Sequence, residues 1–300
     1  MPFDGFQSSM VATPQARIFV RRDGSGPPLL LLHGFPQTHL MWRDVAAELV
    51  RDFTVICADL PGYGQSGCPP SGTDRRPYSK RGMAQVMVDV MEALGFGRFF
   101  IAGHDRGGRV AYRTALDHPD RVERLAVLDV LPIDITWELA DARLALGFWP
   151  WSLLAQPEPL PERLLGAAPE AVIDDALGGG WGSPAEAFAD DVRQAYTATL
   201  REPDRVHAIC EEYRAAATVD REHDTADRRA GRRITRPTLA LWSGHGPLST
   251  WYAKAGGPLA LWRDFAQDVD GRAVDGGHFF PEEHPLDTAG ALRAFFSISP

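Results

Sequence analysis

Residues 103–108 read Gly-His-Asp-Arg-Gly-Gly, and the carboxylate in this segment, Asp105, falls where a predicted buried strand meets a predicted helix. The pattern Gly-x-nucleophile-x-Gly is typical of a nucleophile elbow, with aspartate here in the place of serine. Glycines permit the sharp turn, and the start of a helix favours a negative charge. Such a carboxylate could attack carbon and form an enzyme ester. The alternative is an aspartate that only caps the helix.

Two further residues complete a chain order of nucleophile, acid and histidine. Asp129 follows a predicted strand at 125–128, and His278 lies between Gly-Gly and Phe-Phe after the last predicted strand. This order is the one found in α/β-hydrolases. The segment 242–247, where many members carry the acid, contains no carboxylate. Asp129 is therefore the favoured acid, with Asp134 and Asp275 as weaker candidates and a solvated surface aspartate as the alternative.

Residues 33–36, His-Gly-Phe-Pro, follow the predicted strand 28–32 and would form an oxyanion loop. The backbone N–H groups of Phe35 and Arg106 are the expected donors of the oxyanion hole, and His33 is expected to buttress the loop. This hole would hold the oxyanion that forms when water attacks an ester of Asp105.

Arg106 and Arg109 lie three residues apart in the first turn of the predicted helix, so they project to the same side. Two guanidinium groups beside a nucleophilic carboxylate would lower its pKa and could clamp a substrate carboxylate. The alternative for Arg109 is a surface arginine paired with an aspartate.

The rest of the chain predicts an α/β fold, with a mostly parallel central sheet and a helical cap insertion. Buried strands alternate with helices up to residue 131, and the sheet resumes after about residue 230. We expect a core domain from 1–131 and 231–300, and a Trp-rich helical cap at 132–230 that roofs the carboxyl ends of the strands. Strands are predicted at 16–21, 28–32, 54–58, 98–102, 125–128, 238–242 and 272–274, and helices at 81–94, 106–117, 259–265 and 284–296.

Composition narrows the class of partner. The 300 residues carry a formal net charge of -9, which argues against a nucleic-acid partner. Three scattered cysteines are too few for a disulfide framework and badly spaced for zinc. No apolar run near the start is long enough to span a membrane, and the first residues lack a signal pattern. We therefore expect a cytoplasmic protein without a metal or organic cofactor.

Residues 62–67, Gly-Tyr-Gly-Gln-Ser-Gly, match the dinucleotide-binding pattern Gly-x-Gly-x-x-Gly. The match is weak, because the following Cys-Pro-Pro-Ser-Gly segment cannot open the helix that would bind a pyrophosphate. A structural loop is the favoured interpretation.

Taken together, these segments resemble the fluoroacetate (haloacetate) dehalogenases, a family of α/β-hydrolases. The resemblance runs from residue 33 to residue 280 and is most specific at 103–109, at Leu128-Asp129 and in the segment 209–215, Ile-Cys-Glu-Glu-Tyr-Arg-Ala. It implies Asp105 as nucleophile, Asp129 as acid and His278 as base. It also implies that Arg106 and Arg109 bind the substrate carboxylate, that Trp151 and Tyr213 bind halide, and that the chain forms a homodimer.

One position departs from the family, which usually has a histidine directly before the halide-binding tryptophan. Here Pro150 precedes Trp151, and proline offers no donor. Fluoride depends most on hydrogen bonds as its bond to carbon breaks, so we expect chloro- and bromoacetate to be hydrolysed better than fluoroacetate. The main alternative is an epoxide hydrolase with the same triad and Tyr213 as acid, followed by a haloalkane dehalogenase and a non-enzymatic binding protein.

Overall fold

The computed structural model describes residues 3–297, and within this range eight strands form one sheet in the order β1-β2-β4-β3-β5-β6-β7-β8. Strand β2 pairs antiparallel with β1 and with β4. All the other neighbouring strands, in the order β4-β3-β5-β6-β7-β8, are parallel. The predicted fold class, a mostly parallel sheet with helices, is confirmed. The strands are β1 Gln7–Ala12, β2 Arg17–Asp23, β3 Pro28–Leu32, β4 Thr54–Ala58, β5 Phe99–His104, β6 Val122–Leu128, β7 Thr238–Ser243 and β8 Val269–Val274.

The central strands are buried because helices cover both faces of the sheet. Strands β3 and β4 begin and end at the predicted residues, and the leucines of β3 are fully buried. Continuous apolar runs of this kind are typical of parallel strands. The first strand, β1, was not predicted, because its residues are mostly exposed and polar.

The helices surround the sheet and also form a long insertion between β6 and β7. The helix predicted at 259–265 is observed as Gly257–Trp262, so it both begins and ends earlier than predicted. The α-helices are α1 Arg43–Leu49, α2 Lys80–Ala93, α3 Asp105–Asp117, α4 Ile133–Glu138, α5 Ala142–Gly147, α6 Pro150–Leu153, α7 Leu160–Ala167, α8 Pro169–Asp175, α9 Asp190–Leu200, α10 Pro203–Ala217, α11 Val219–Arg229, α12 Pro247–Trp251, α13 Gly257–Trp262, α14 Phe280–Glu283 and α15 Pro285–Phe296.

The insertion, from α4 to α11, is the segment predicted as the cap, and buried ion pairs join it to the core. Arg113 of α3 pairs with Asp224 of α11 and, at 2.6 Å, with Asp227 of the same helix. Separating such a pair would leave a buried charge without a partner, which costs considerable free energy. The insertion is therefore anchored beside the helix that begins at Asp105. The boundaries of separate core and cap domains stay a prediction.

The three cysteines, Cys57, Cys68 and Cys210, are free thiols. Among the described residues, none of the helices has both the length and the apolar character that a membrane crossing requires.

Candidate active site

Asp105 lies at the junction of β5 and α3, and its backbone is in the left-handed region with a φ of 44°. Close packing explains the glycines around it. A Cβ atom on Gly103 would lie 2.3 Å from the carbonyl oxygen of Gly107, and one on Gly107 would lie 2.4 Å from that of Leu32. The strained turn therefore needs glycine at both positions, as the elbow pattern predicts.

The Asp105 carboxylate is held on both of its oxygens. The Phe35 backbone N–H donates to Oδ2 at 3.1 Å, and Arg109 Nη1 donates to Oδ1 at 2.7 Å. Burial alone would raise the pKa of Asp105, but the positive charge of Arg109, with smaller contributions from His278 and Arg106, holds that pKa well below its usual range. Asp105 is thus a buried carboxylate that stays ionised.

His278 and Asp129 are in direct contact, with His278 Nδ1 2.6 Å from Asp129 Oδ2. The other oxygen of Asp129 accepts from the backbone N–H of Ser243 at 2.8 Å. The weaker candidates lie elsewhere: Asp134 faces Arg228 at 3.3 Å, and Asp275 pairs with an exposed histidine on the surface. Asp129 is therefore the carboxylate placed to orient His278.

Arg106 is fully buried and is held by the insertion. Its Nε donates to Glu212 Oε1 at 2.7 Å, and its guanidinium lies 4.0 Å from the centre of the Tyr213 ring. Glu212 also accepts from the buried Lys80 and from the Tyr63 hydroxyl. Burial would raise the pKa of Glu212, but Arg106 and Lys80 reverse this and lower it. Arg106 does not itself line the pocket described below.

Both arginines retain an unused donor. Arg106 Nη1 and Arg109 Nε are buried and have no hydrogen-bond partner in the part of the chain that the structure describes. The two guanidinium groups also share a neighbour, because they lie 5.4 Å and 4.6 Å from the Trp151 ring. Leaving a buried donor unpaired costs about 1–3 kcal/mol, so these donors are suited to a ligand.

A pocket opens at the Asp105 carboxylate, and the insertion forms much of its wall. Trp151 and Tyr213 line it, together with Pro150 at the start of α6. The remaining wall is mainly apolar and aromatic, as small-molecule sites usually are. The full lining is Phe35, Asp105, Arg109, Asp129, Leu131, Thr136, Leu144, Phe148, Pro150, Trp151, Trp181, Tyr213, Leu248, Tyr252 and His278.

Several neighbours of the site were not predicted. Glu212 and Lys80 are charged residues on helices, and sequence alone does not distinguish them from solvated ones. Trp181 also packs against the His278 ring, with centroids 5.6 Å apart, and its carbonyl accepts from the His278 backbone N–H at 3.0 Å. The available signal was Gly277, because a Cβ atom there would lie 2.3 Å from the backbone of Gly182, directly after Trp181.

His33 and the glycine loop at 62–67 support the site without entering it. His33 Nε2 accepts from the Leu60 backbone N–H at 3.0 Å, while Nδ1 contacts the Gly34 carbonyl at 2.8 Å. In the glycine loop, a Cβ atom on Gly64 would lie 2.2 Å from the Asp59 carboxylate, which accepts from the Gln65 N–H. This packing fits a structural loop.

Comparisons with known proteins show the family to which the chain belongs. The chain matches the family model of the alpha/beta hydrolase fold over residues 27–285. It is 40% identical to a fluoroacetate dehalogenase from Burkholderia sp. over 295 residues, which cover 98% of this chain and 95% of the relative. It is 31% identical to a soluble epoxide hydrolase from Corynebacterium sp. (strain C12), with 91% of each protein covered. A solved structure from Nostoc sp. PCC 7120, provisionally assigned to the alpha/beta hydrolases, superposes with a TM-score of 0.94 at 44% identity, covering 99% of this chain and 100% of that one.

Proposed function

This chain is a hydrolase of the alpha/beta-hydrolase family, and we propose that it removes halide from short 2-haloacids by hydrolysis, converting a haloacetate and water to glycolate and halide. The observation that carries the proposal is the pair of buried arginines beside Asp105, each with one unused donor. A carboxylate has two oxygens that accept such donors, and arginine is the side chain best suited to hold it.

In the first step, Asp105 attacks the α-carbon of the haloacid and halide leaves with the bonding electrons. The Phe35 N–H, which is the proposed oxyanion-hole donor, holds Oδ2, so we assign the attack to Oδ1, which gives up its hydrogen bond from Arg109 as the substrate binds. The depressed pKa of Asp105 keeps this nucleophile ionised. Arg109, which lines the pocket, binds the substrate carboxylate and fixes the direction of attack. Arg106 does not line the pocket in this structure, so its free Nη1 reaches the same carboxylate only after its neighbours in the pocket wall shift. The product of the step is an ester between Asp105 and the glycolyl carbon.

In the second step, His278 takes a proton from water and the water oxygen attacks the carboxyl carbon of Asp105. Asp129 orients His278 and stabilises its charged form. The oxyanion that forms on Asp105 is stabilised by the Phe35 N–H and, in our proposal, by the backbone N–H of Arg106. Collapse of this intermediate releases glycolate and restores the Asp105 carboxylate. No metal or organic cofactor takes part.

We assign halide binding to Trp151 and Tyr213. Both line the pocket, and neither the indole N–H nor the hydroxyl bonds to another of the described residues. Pro150 occupies the position from which the family usually adds a histidine donor, so departure of fluoride receives less help than in those relatives. Chloro- and bromoacetate are therefore the preferred substrates. Assembly as a homodimer and a cytoplasmic location stay predictions from the sequence.

The test is release of halide and glycolate from fluoro-, chloro- and bromoacetate, with Asp105→Asn as the inactive variant. In water enriched in ¹⁸O, a single turnover should place the label in Asp105 before it reaches glycolate. Epoxide hydrolysis is the second candidate, because the Tyr213 hydroxyl is available to protonate an epoxide and an epoxide hydrolase is among the relatives. Styrene oxide turned over faster than all three haloacetates would make that the leading function.

A further inference from the structure

A chain of polar side chains runs behind the proposed catalytic residues, outside the pocket wall. The Tyr196 hydroxyl donates to Glu282 Oε1 at 2.9 Å, and Glu282 Oε2 contacts the Gln37 amide. Gln37 Oε1 lies 3.1 Å from His104 Nδ1, and His104 Nε2 lies 2.8 Å from the carbonyl oxygen of His278. Gln37, His104 and Tyr196 are fully buried, and Glu282 is part-buried with both oxygens engaged.

The position of hydrogen on the His104 ring determines which group donates and which accepts in each hydrogen bond of this series. Burial lowers the pKa of His104 to about 3, so the ring is neutral and has a single N–H. Its Nε2 faces a carbonyl oxygen, which can only accept, so Nε2 carries that hydrogen. Nδ1 is then an acceptor, and the group facing it must be the NH₂ of Gln37. Amide oxygen and nitrogen have the same shape, so the hydrogen-bond network sets which one faces His104.

With its NH₂ turned to His104, Gln37 presents its carbonyl oxygen to Glu282, which must then donate a hydrogen. Burial raises the pKa of Glu282 to about 7, and the negative charge of Asp44 acts in the same direction. The hydrogen bonds from Gln37 and Tyr196 and the positive charge of Arg43 oppose this rise. The turned amide no longer donates to Glu282, which raises that pKa further. The neutral carboxyl is thus the stable form in this arrangement.

We propose that Glu282 carries its carboxyl hydrogen, and that the run Glu282 to Gln37 to His104 fixes the tautomer of His104 and so positions the backbone of His278. These three are positioning residues. They join three parts of the site: Gln37 follows the loop that presents the Phe35 N–H, His104 precedes Asp105, and the His104 ring packs 4.7 Å from that of His278.

When Glu282 ionises, the donors and acceptors in this series of hydrogen bonds exchange roles. An ionised Glu282 accepts from Gln37, so the Gln37 oxygen turns to His104 and the hydrogen of His104 moves to Nδ1. His104 then no longer donates to the His278 carbonyl, and two acceptors face one another there. Activity should therefore fall on the alkaline side of the pH profile, as Glu282 loses its hydrogen.

The first measurement is the tautomer of His104, read from the ¹⁵N shifts of histidine-labelled protein in mildly acidic buffer. The proposal requires hydrogen on Nε2, and hydrogen on Nδ1 or on both nitrogens overturns it. This readout needs no turnover. A wild-type enzyme that releases no halide would therefore refute the proposed function and leave the tautomer result standing, whereas the kinetic tests below rest on the proposed function.

The second measurement compares pH profiles of kcat for chloroacetate. Glu282→Gln keeps a donor toward Gln37 at every pH, so the alkaline fall should be lost and His104 should keep hydrogen on Nε2. Tyr196→Phe removes a donor that lowers the pKa of Glu282, so the fall should move to higher pH. Gln37→Leu should lower kcat about tenfold with little change in KM. Asp134→Asn is the matched control. Burial raises the pKa of Asp134 to about 6, and Asp134 takes no part in the hydrogen bonds that join Glu282, Gln37 and His104. An unchanged alkaline fall in Glu282→Gln would overturn the proposal.

Discussion

Removing the Arg109 charge tests whether this residue both activates the nucleophile and binds substrate. Arg109 Nη1 lies 2.7 Å from Asp105 Oδ1, and both side chains are largely buried. Two unit charges about 4 Å apart attract by about 4 kcal/mol at an effective dielectric constant near 20. One pKa unit corresponds to about 1.36 kcal/mol, so Arg109→Met should raise the pKa of Asp105 substantially. The carboxylate would then become protonated at mildly acidic pH.

The expected kinetics have two parts. Loss of a charged hydrogen bond to the substrate carboxylate, about 1.5–3 kcal/mol, should lower kcat/KM for chloroacetate about 10- to 10²-fold at neutral pH, largely through KM. The pH profile should also gain an acidic fall, because Asp105 must be ionised to attack and its pKa is no longer held down. The wild type should lack that fall from Asp105, since its folded pKa lies below the assayed range.

The assay is chloride release over a range of pH, with a thermal melt to check folding. Arg98→Met is the matched control, because Arg98 is an exposed arginine that faces Glu123 at a distance of 3.8 Å, away from the pocket. An Arg109→Met enzyme that stays folded, with an unchanged KM and no new acidic fall, would refute both roles that we assign to Arg109.

Three shorter predictions concern the other residues of the site. Asp129→Asn should slow the second step more than the first, so that mass spectrometry detects an accumulating Asp105 ester; free enzyme as the main species would contradict the assignment. Pro150→His should raise the fluoroacetate-to-chloroacetate ratio of kcat/KM about 10²-fold, and an unchanged ratio would remove Pro150 from the halide site. Gly34→Ala should lower kcat strongly without loss of binding, because its Cβ would lie 2.8 Å from Asp105 Oδ2; activity within about twofold of wild type would show that the loop can move.

The sequence predicted those parts of the fold that local pattern determines. Strands β3 and β4 are short, continuously apolar and bounded by turns, so their ends were predicted to the residue. Strand β1 was missed and β8 was predicted three residues too short, because edge strands are exposed on much of their surface and lack an apolar run. The elbow was visible because its glycines are required by close backbone packing.

The contacts of the site were only partly predictable. Asp105, Asp129 and His278 each follow a strand, so their approach at one sheet edge could be expected from topology. The partner of Arg106 could not, because Glu212 comes from α10 of the insertion and meets Arg106 only when the insertion packs on the core. The same holds for Gln37 and Glu282, which are separated by 245 positions. Polar residues of this kind show no periodicity that sets them apart from surface residues.

The unused donors explain why a relative that hydrolyses epoxides is weak evidence for the same substrate here. A haloalkane would offer Arg106 Nη1 and Arg109 Nε no oxygen and an epoxide only one, whereas the haloacid of the proposed function supplies two carboxylate oxygens. Sites built to hydrogen-bond a substrate group reject analogues that lack the group by about 10⁴–10⁵, because the buried donors are left unpaired. Glu212 strengthens this selection, since it fixes Arg106 from one side and prevents the guanidinium from turning to another partner. If the proposed function holds, the preference for an acid comes from the packing of the insertion against α3 as much as from the two arginines.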